Sequence, residues 1–164
     1  MRSLAEAAAK ADALAQQGAE RELAGLRSEW ADELEEAARS ADYRVRATAY
    51  RAVGQFRFRQ KVELLRRGLE DESPAVRGAA LISLELLSRE SPGVANAARA
   101  ALHSLANADP NQAVRRLAVL CLKNGSSQRD TIVLLEGLAA DDDEERGLRE
   151  TARRVAQLLR KKSH

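Results

Sequence analysis

Few side chains in this sequence are of the kinds that carry chemistry. The histidines are His103 and the last residue, His164, and the single cysteine is Cys121. A nucleophile needs a base within reach, and a metal centre needs several ligands at set spacing. No paired His-Glu motif supplies either. The densest group of ligand atoms, Asp141-Asp142-Asp143-Glu144-Glu145, lacks the spaced ligands and the glycine of a calcium loop. It reads as a solvated turn that places negative charge at a helix N-terminus. No glycine loop for phosphate is present. The expectation is a protein that is not an enzyme, with no catalytic residue, no metal and no cofactor.

The residues that do recur are arginines. Asp71 to Val76-Arg77 and Asp109 to Val114-Arg115 share an acid, an apolar residue and an arginine at the same offsets. Asp143 to Leu148-Arg149 repeats the pattern with leucine, and Ser40 to Val45-Arg46 repeats it with serine in the acid's place. Arg46, Arg77, Arg115 and Arg149 are each followed at the third position by Ala49, Ala80, Ala118 or Ala152. A recurrence of this length is the mark of a helical-repeat array.

Aligned on their arginines, the repeats show which positions face inward. Offset −1 holds Val45, Val76, Val114 and Leu148. Offset +3 holds the alanines, and +6 and +7 hold Ala52/Val53, Ser83/Leu84, Cys121/Leu122 and Val155/Ala156. These offsets trace one helical face, small at its centre and branched at its ends. Cys121 falls in that face and is expected to be an inert core thiol.

The elements that must position these residues are helices. Of 164 residues 45% are hydrophobic, 32% charged and only 3% aromatic, and alanine makes up about a fifth. Strong helix formers span residues 2 to 17 as a thin-striped terminal cap, with Gly18 placed to end it. A second helix, about residues 19 to 38, carries Leu23, Leu26, Trp30 and Leu34 on one face. Trp30 therefore reads as core, and Glu29, Asp32, Glu33, Glu35 and Glu36 as a solvated face. Further helices are expected at 45–53 (ending near Gly54), 58–69, 74–88, 92–106, 110–123, 131–138 and 145–160. Ser73-Pro74, Ser91-Pro92 and Asp109-Pro110 read as a capping residue followed by proline at the first helical position. Short connections make neighbouring helices antiparallel. A lone cysteine, the absence of an unbroken apolar N-terminal run and the absence of a long apolar stretch point to a cytoplasmic protein that does not enter a membrane. An excess of 22 arginines over 5 lysines suggests a GC-rich bacterial source.

Asp-x-x-Pro-x-Val-Arg-x-x-Ala, as it stands from Asp71 to Ala80, resembles the signature of the HEAT repeat and its shorter bacterial relatives. The resemblance covers about residues 20 to 160. It implies an all-α solenoid, a right-handed superhelix of about four hairpins forming a single domain over 1–164. The cap would be 1–18, with repeats at 19–54, 55–89, 90–125 and 126–164. The resemblance also implies a ladder between repeats made by the turn acids and arginines: Asp71 with Arg77, Asp109 with Arg115 and Asp143 with Arg149. Arg46 faces serine where the others have an acid, and Asp42 stands four residues before it, so its rung departs from the pattern.

Charge is separated along the chain. Residues 43–61 hold six basic side chains and no acid, 111–125 hold three and none, and 145–164 hold seven against two. Residues 19–42 and 126–144 each sum to −5. If, as the resemblance implies, the second helices line the concave side, a basic groove results that attracts acidic protein segments or nucleic acid. Beyond the ladder arginines, Arg51, Arg116, Lys123, Arg153 and Arg154 are in excess and are the expected partner-binding residues. The reading that follows is a scaffold or adaptor that binds a protein partner with an acidic surface. Its alternative is duplex DNA binding, resembling HEAT-like DNA-alkylation glycosylases. A net charge of only +2 weighs against the alternative. A third class, resembling lyase-like factors that attach a chromophore, has no residue here to support it.

Overall fold

Helix α1 (Leu4–Gln17) starts where Ser3 accepts a hydrogen bond from the Glu6 N–H (3.1 Å), and it ends at Gly18 in a left-handed conformation (φ 74°). It lies against both α2 (Glu20–Ala38) and α3 (Tyr43–Gln55). Small residues make that approach possible: Ala7, Ala8 and Ala11 are wholly buried beneath Leu4 and Leu14. Asp12 adds an ion pair, accepting from Arg57 at 2.8 Å. Trp30 is core, as its place on the apolar stripe of α2 predicts.

The computed structural model describes residues 3–163. The first position of the expected N-terminal helix, residue 2, and His164 lie outside them. Among the described residues there are ten α-helices and no strand. The chain divides into two compact units, Met1–Leu87 and Ser88–His164. The first unit continues through a 3-10 turn (Arg59–Lys61), α4 (Val62–Leu69) and α5 (Pro74–Ser88). The second holds α6 (Pro92–Ala97), α7 (Arg99–Ala108), α8 (Gln112–Leu122), α9 (Arg129–Ala140) and α10 (Arg146–Lys162).

Several boundaries differ from the sequence reading for local reasons. The run 58–69 opens with the 3-10 turn, and the run 92–106 breaks at Ala98, whose N–H bonds back three residues to Ala95. Gly54 does not stop α3; it lies inside it, facing α5. A Cβ at Gly54 would stand 2.8 Å from the Ser83 Cα, and Ser83 fills the space with hydrogen bonds. Its hydroxyl accepts from the Gly54 N–H (2.9 Å) and donates to the Tyr50 carbonyl (2.5 Å). The cap of α8 is Asn111, which accepts from the Val114 N–H at 3.0 Å, so Asp109 stands two residues before the cap.

The inward face agrees with the repeat register at nearly every position. Ala49, Ala80, Ala118 and Ala152 have no exposed surface, and Val76, Val114, Leu148 and Cys121 are buried. Val45 is the departure, at 40% exposed. It lines an open groove with Glu33, Glu36 and Ala37, because no helix of the first unit covers this turn of α3.

Candidate functional site

The recurring arginines do two separate jobs. Arg46, Arg77 and Arg115 reach back to main-chain carbonyls that precede their helices. Arg46 Nη1 donates to the Ser40 and Ala41 carbonyls (3.0 and 3.2 Å), and Arg77 Nη1 donates to those of Asp71 and Glu72 (2.9 and 3.1 Å). Arg115 reaches the Ala106 carbonyl (2.9 Å) and that of Asn107 (3.2 Å). The carboxylate comes from elsewhere. Arg46 grips Asp71 with Nε and Nη2 at 2.9 and 3.0 Å. Arg115 grips both oxygens of Glu144, with Nη1 at 2.9 Å from Oε1.

The expected pairs are therefore corrected. Asp71 accepts from Arg46, not Arg77, and Arg115 bonds Glu144, with Asp109 adding its charge. Asp143 does not pair with Arg149, whose side chain is 31% exposed and whose one carboxylate contact is Asp142 at 3.5 Å. The Arg149 Nε is enclosed and has no hydrogen-bond acceptor. The rung at Arg46, which departs from the motif, is fully formed. Ser40 accepts from the Asp42 N–H (3.1 Å) just as Asp71 accepts from Ser73 and Asp109 from Asn111, so a hydroxyl suffices to shape the turn. In the last turn that position is held by Asp141, which accepts from the Asp143 N–H at 2.9 Å.

These pairs shift the ionisation of their members. Burial works to raise the Asp71 pKa, but hydrogen bonds from Arg46 and the Ser73 N–H outweigh it and hold it below the ordinary value. The hydrogen bond from Arg115 holds Glu144 low and raises the arginine in turn. His103 is half-buried with Nε2 2.8 Å from the Thr131 hydroxyl, and burial pushes its pKa down.

Of the residues expected to meet a partner, Arg153 and Arg154 are exposed on α10. Arg153 makes one long bond, to the Ala139 carbonyl at 3.5 Å. Arg116, on α8, is 43% exposed and stands 3.9 Å from Glu145. Lys123 is half-buried after α8, and its carbonyl accepts from Lys162 Nζ (2.5 Å). Arg51, in the first unit, is half-buried with Nη1 enclosed and lacking an acceptor. Sequence reasoning missed Glu144 as the acid on Arg115. No signal separates it from the four acids beside it, because a turn's acid is chosen by an arginine 29 residues away.

Among the described residues no group of three or more His, Cys, Asp or Glu side chains could hold a metal ion. No described helix is long and apolar enough to cross a membrane.

Paired helices, an inward face repeated at small residues, and arginine–carboxylate rungs define an α-helical repeat protein. Residues 31–97 match the family model of HEAT repeats, which supports a HEAT-repeat family for this fold. HEAT repeats generally mediate protein–protein interaction. Among curated proteins, none matches the chain.

Proposed function

We propose that this chain is a non-enzymatic interaction module that holds an acidic segment of a partner protein on the basic side chains of its second helices. In the second unit the binding group is Arg116, Lys123, Arg153 and Arg154; Arg51 is a separate anchor in the first. The observation that carries the reading is the state of Arg153 and Arg154. Both are exposed, and neither has a carboxylate partner, whereas the ladder arginines Arg46 and Arg115 are held by theirs. Exposed guanidinium groups without a carboxylate of their own recognise carboxylates in bidentate geometry and speed encounter with an acidic partner.

The test is affinity capture from a bacterial lysate by the parent and by an Arg116→Glu/Arg154→Glu variant, read by mass spectrometry. A defined protein should be retained by the parent, lost by the variant, and released near 1 M salt, where the screening length falls to about 3 Å. Capture unchanged in the variant overturns the reading. Salt-dependent binding of duplex DNA that the variant abolishes would transfer the same residues to nucleic acid.

A further inference from the structure

Two stretches of this chain carry equal and opposite charge. Residues 19–42 sum to −5 and residues 145–164 to +5. Much of the negative charge faces solvent. Glu29, Asp32, Glu33 and Glu36 are exposed on one face of α2. Among the described residues none of the four has an ion pair, because the nearby cations Arg39 and Lys61 both go to Glu35. Glu29 with Glu33 and Asp32 with Glu36 are like charges four residues apart, a spacing at which they repel and weaken the helix. Cations brought from outside would relieve that repulsion.

The acidic face borders an apolar gap. Glu33, Glu36 and Ala37 line, with Val45, an open groove of about 520 Å³, and Arg39 on its rim stands 3.8 Å from Glu35. Val45 holds offset −1, where Val76, Val114 and Leu148 are buried. Burial at this offset needs a helix laid against it, and the first unit supplies none to Val45.

Helix α10 has the matching surface. Arg154, Leu158 and Lys161 follow one another at spacings of four and three, so they form one stripe along the helix. All three are exposed, Leu158 at 46%. Among the described residues neither Arg154 nor Lys161 has a carboxylate partner. An apolar side chain between two cations thus meets its complement in an apolar groove beside carboxylates. The lengths agree as well. Glu29 to Glu36 and Arg154 to Lys161 each span seven residues, about 10 Å along a helix.

We propose that the α2–α3 groove docks helix α10 of a second copy of this chain, with Leu158 against Val45 and with Arg154 and Lys161 on the carboxylates of α2. The contact is heterologous. Each copy offers its acidic groove to one neighbour and its basic stripe to another, which gives a ring or an open row. The contact shares Arg154 with the reading above but does not rest on it, since no other protein is needed.

Sedimentation of the purified protein alone is the test. The parent should associate as its concentration rises, and less so near 1 M salt, where the screening length falls to about 3 Å. Glu33→Gln/Glu36→Gln and Arg154→Gln/Lys161→Gln each remove two exposed ion pairs, together worth about a tenfold loss of self-affinity. All four residues are exposed, so both variants should keep the parental circular dichroism and Trp30 emission. Mixed one to one, the variants should pair and stop at two copies, because one retains the stripe and the other the groove. A parent that stays monomeric, a variant that associates like the parent, or a mixture that fails to pair overturns the proposal. A basic amphipathic peptide that binds a monomeric parent but not Glu33→Gln/Glu36→Gln overturns it too, by making another protein the occupant. Capture from a lysate is read on a foreign protein, so either experiment can fail without the other.

Discussion

Replacing Glu144 by alanine isolates one rung of the ladder. Arg115 is 7% exposed at its side chain and Glu144 18%, so the pair is largely shielded. Removing one partner of a fully buried pair costs about 3–5 kcal/mol. Here the Arg115 guanidinium keeps the Ala106 and Asn107 carbonyls, and water reaches the vacated side, so the cost should be about 2 kcal/mol. With a urea slope of about 1 kcal/mol per molar for a unit this small, the midpoint should fall by about 2 M. The loss should be local, since repeats couple mainly to their neighbours. Trp30, the only tryptophan, lies in the first unit and reports that unit alone, whereas circular dichroism reports both. The variant's dichroism should therefore begin to fall at a urea concentration where Trp30 fluorescence is still native. The pH dependence has a definite sign. Glu144 has a folded pKa below its ordinary 4.5, so its contribution is whole above about pH 5 and is lost as pH falls through the folded value. The gap between parent and variant should close in acid. An unshifted midpoint, or a gap as wide at pH 3 as at pH 7, would refute the reasoning.

The register makes a paired prediction. Val114→Asp buries an unpaired carboxylate and should cost about 3–5 kcal/mol, while Val45→Asp, at an exposed site, should move stability by no more than about 0.5 kcal/mol; equal urea midpoints would sink it. Gly54→Ala forces a Cβ onto the Ser83 backbone and should cost about 1–3 kcal/mol, seen in Trp30 fluorescence because both helices belong to the first unit. Arg153→Glu/Arg154→Glu should leave the melting temperature almost unchanged, as exposed substitutions do, and calorimetry checks it.

Much of the fold can be read from the sequence because helical faces are local. The offsets −1, +3, +6 and +7 from each arginine pick out buried residues at Val76, Ala80, Leu84, Val114, Ala118 and Cys121 without knowledge of what covers them. Val45 escapes the rule because burial needs a neighbour, and the pattern holds no information about whether one is there. The ladder is misread for a related reason. The six-residue spacing of Asp71 and Arg77 looks like a bond between the two side chains, but the arginine bonds the turn's carbonyls while the acid serves Arg46. One spacing encodes two interactions, and only the local one lies within the motif. Gly54 reads as a stop signal because glycine ends helices more often than it permits two of them to touch. The exposed arginines of α10 are visible as a charge excess, but which of them lack a carboxylate is set by reach across space.

Cys121 has no exposed surface on α8, and it is the only thiol in the chain. A sulfhydryl reagent can modify it only when the second unit opens. If reclosing outruns the reagent, the ratio of the observed labelling rate to that of a free thiol equals the opening equilibrium constant. Trp30 reads the first unit by its emission under the same conditions. The native chain thus carries one reporter for each unit, and across a urea series the labelling of Cys121 and the emission of Trp30 show whether the two units open together.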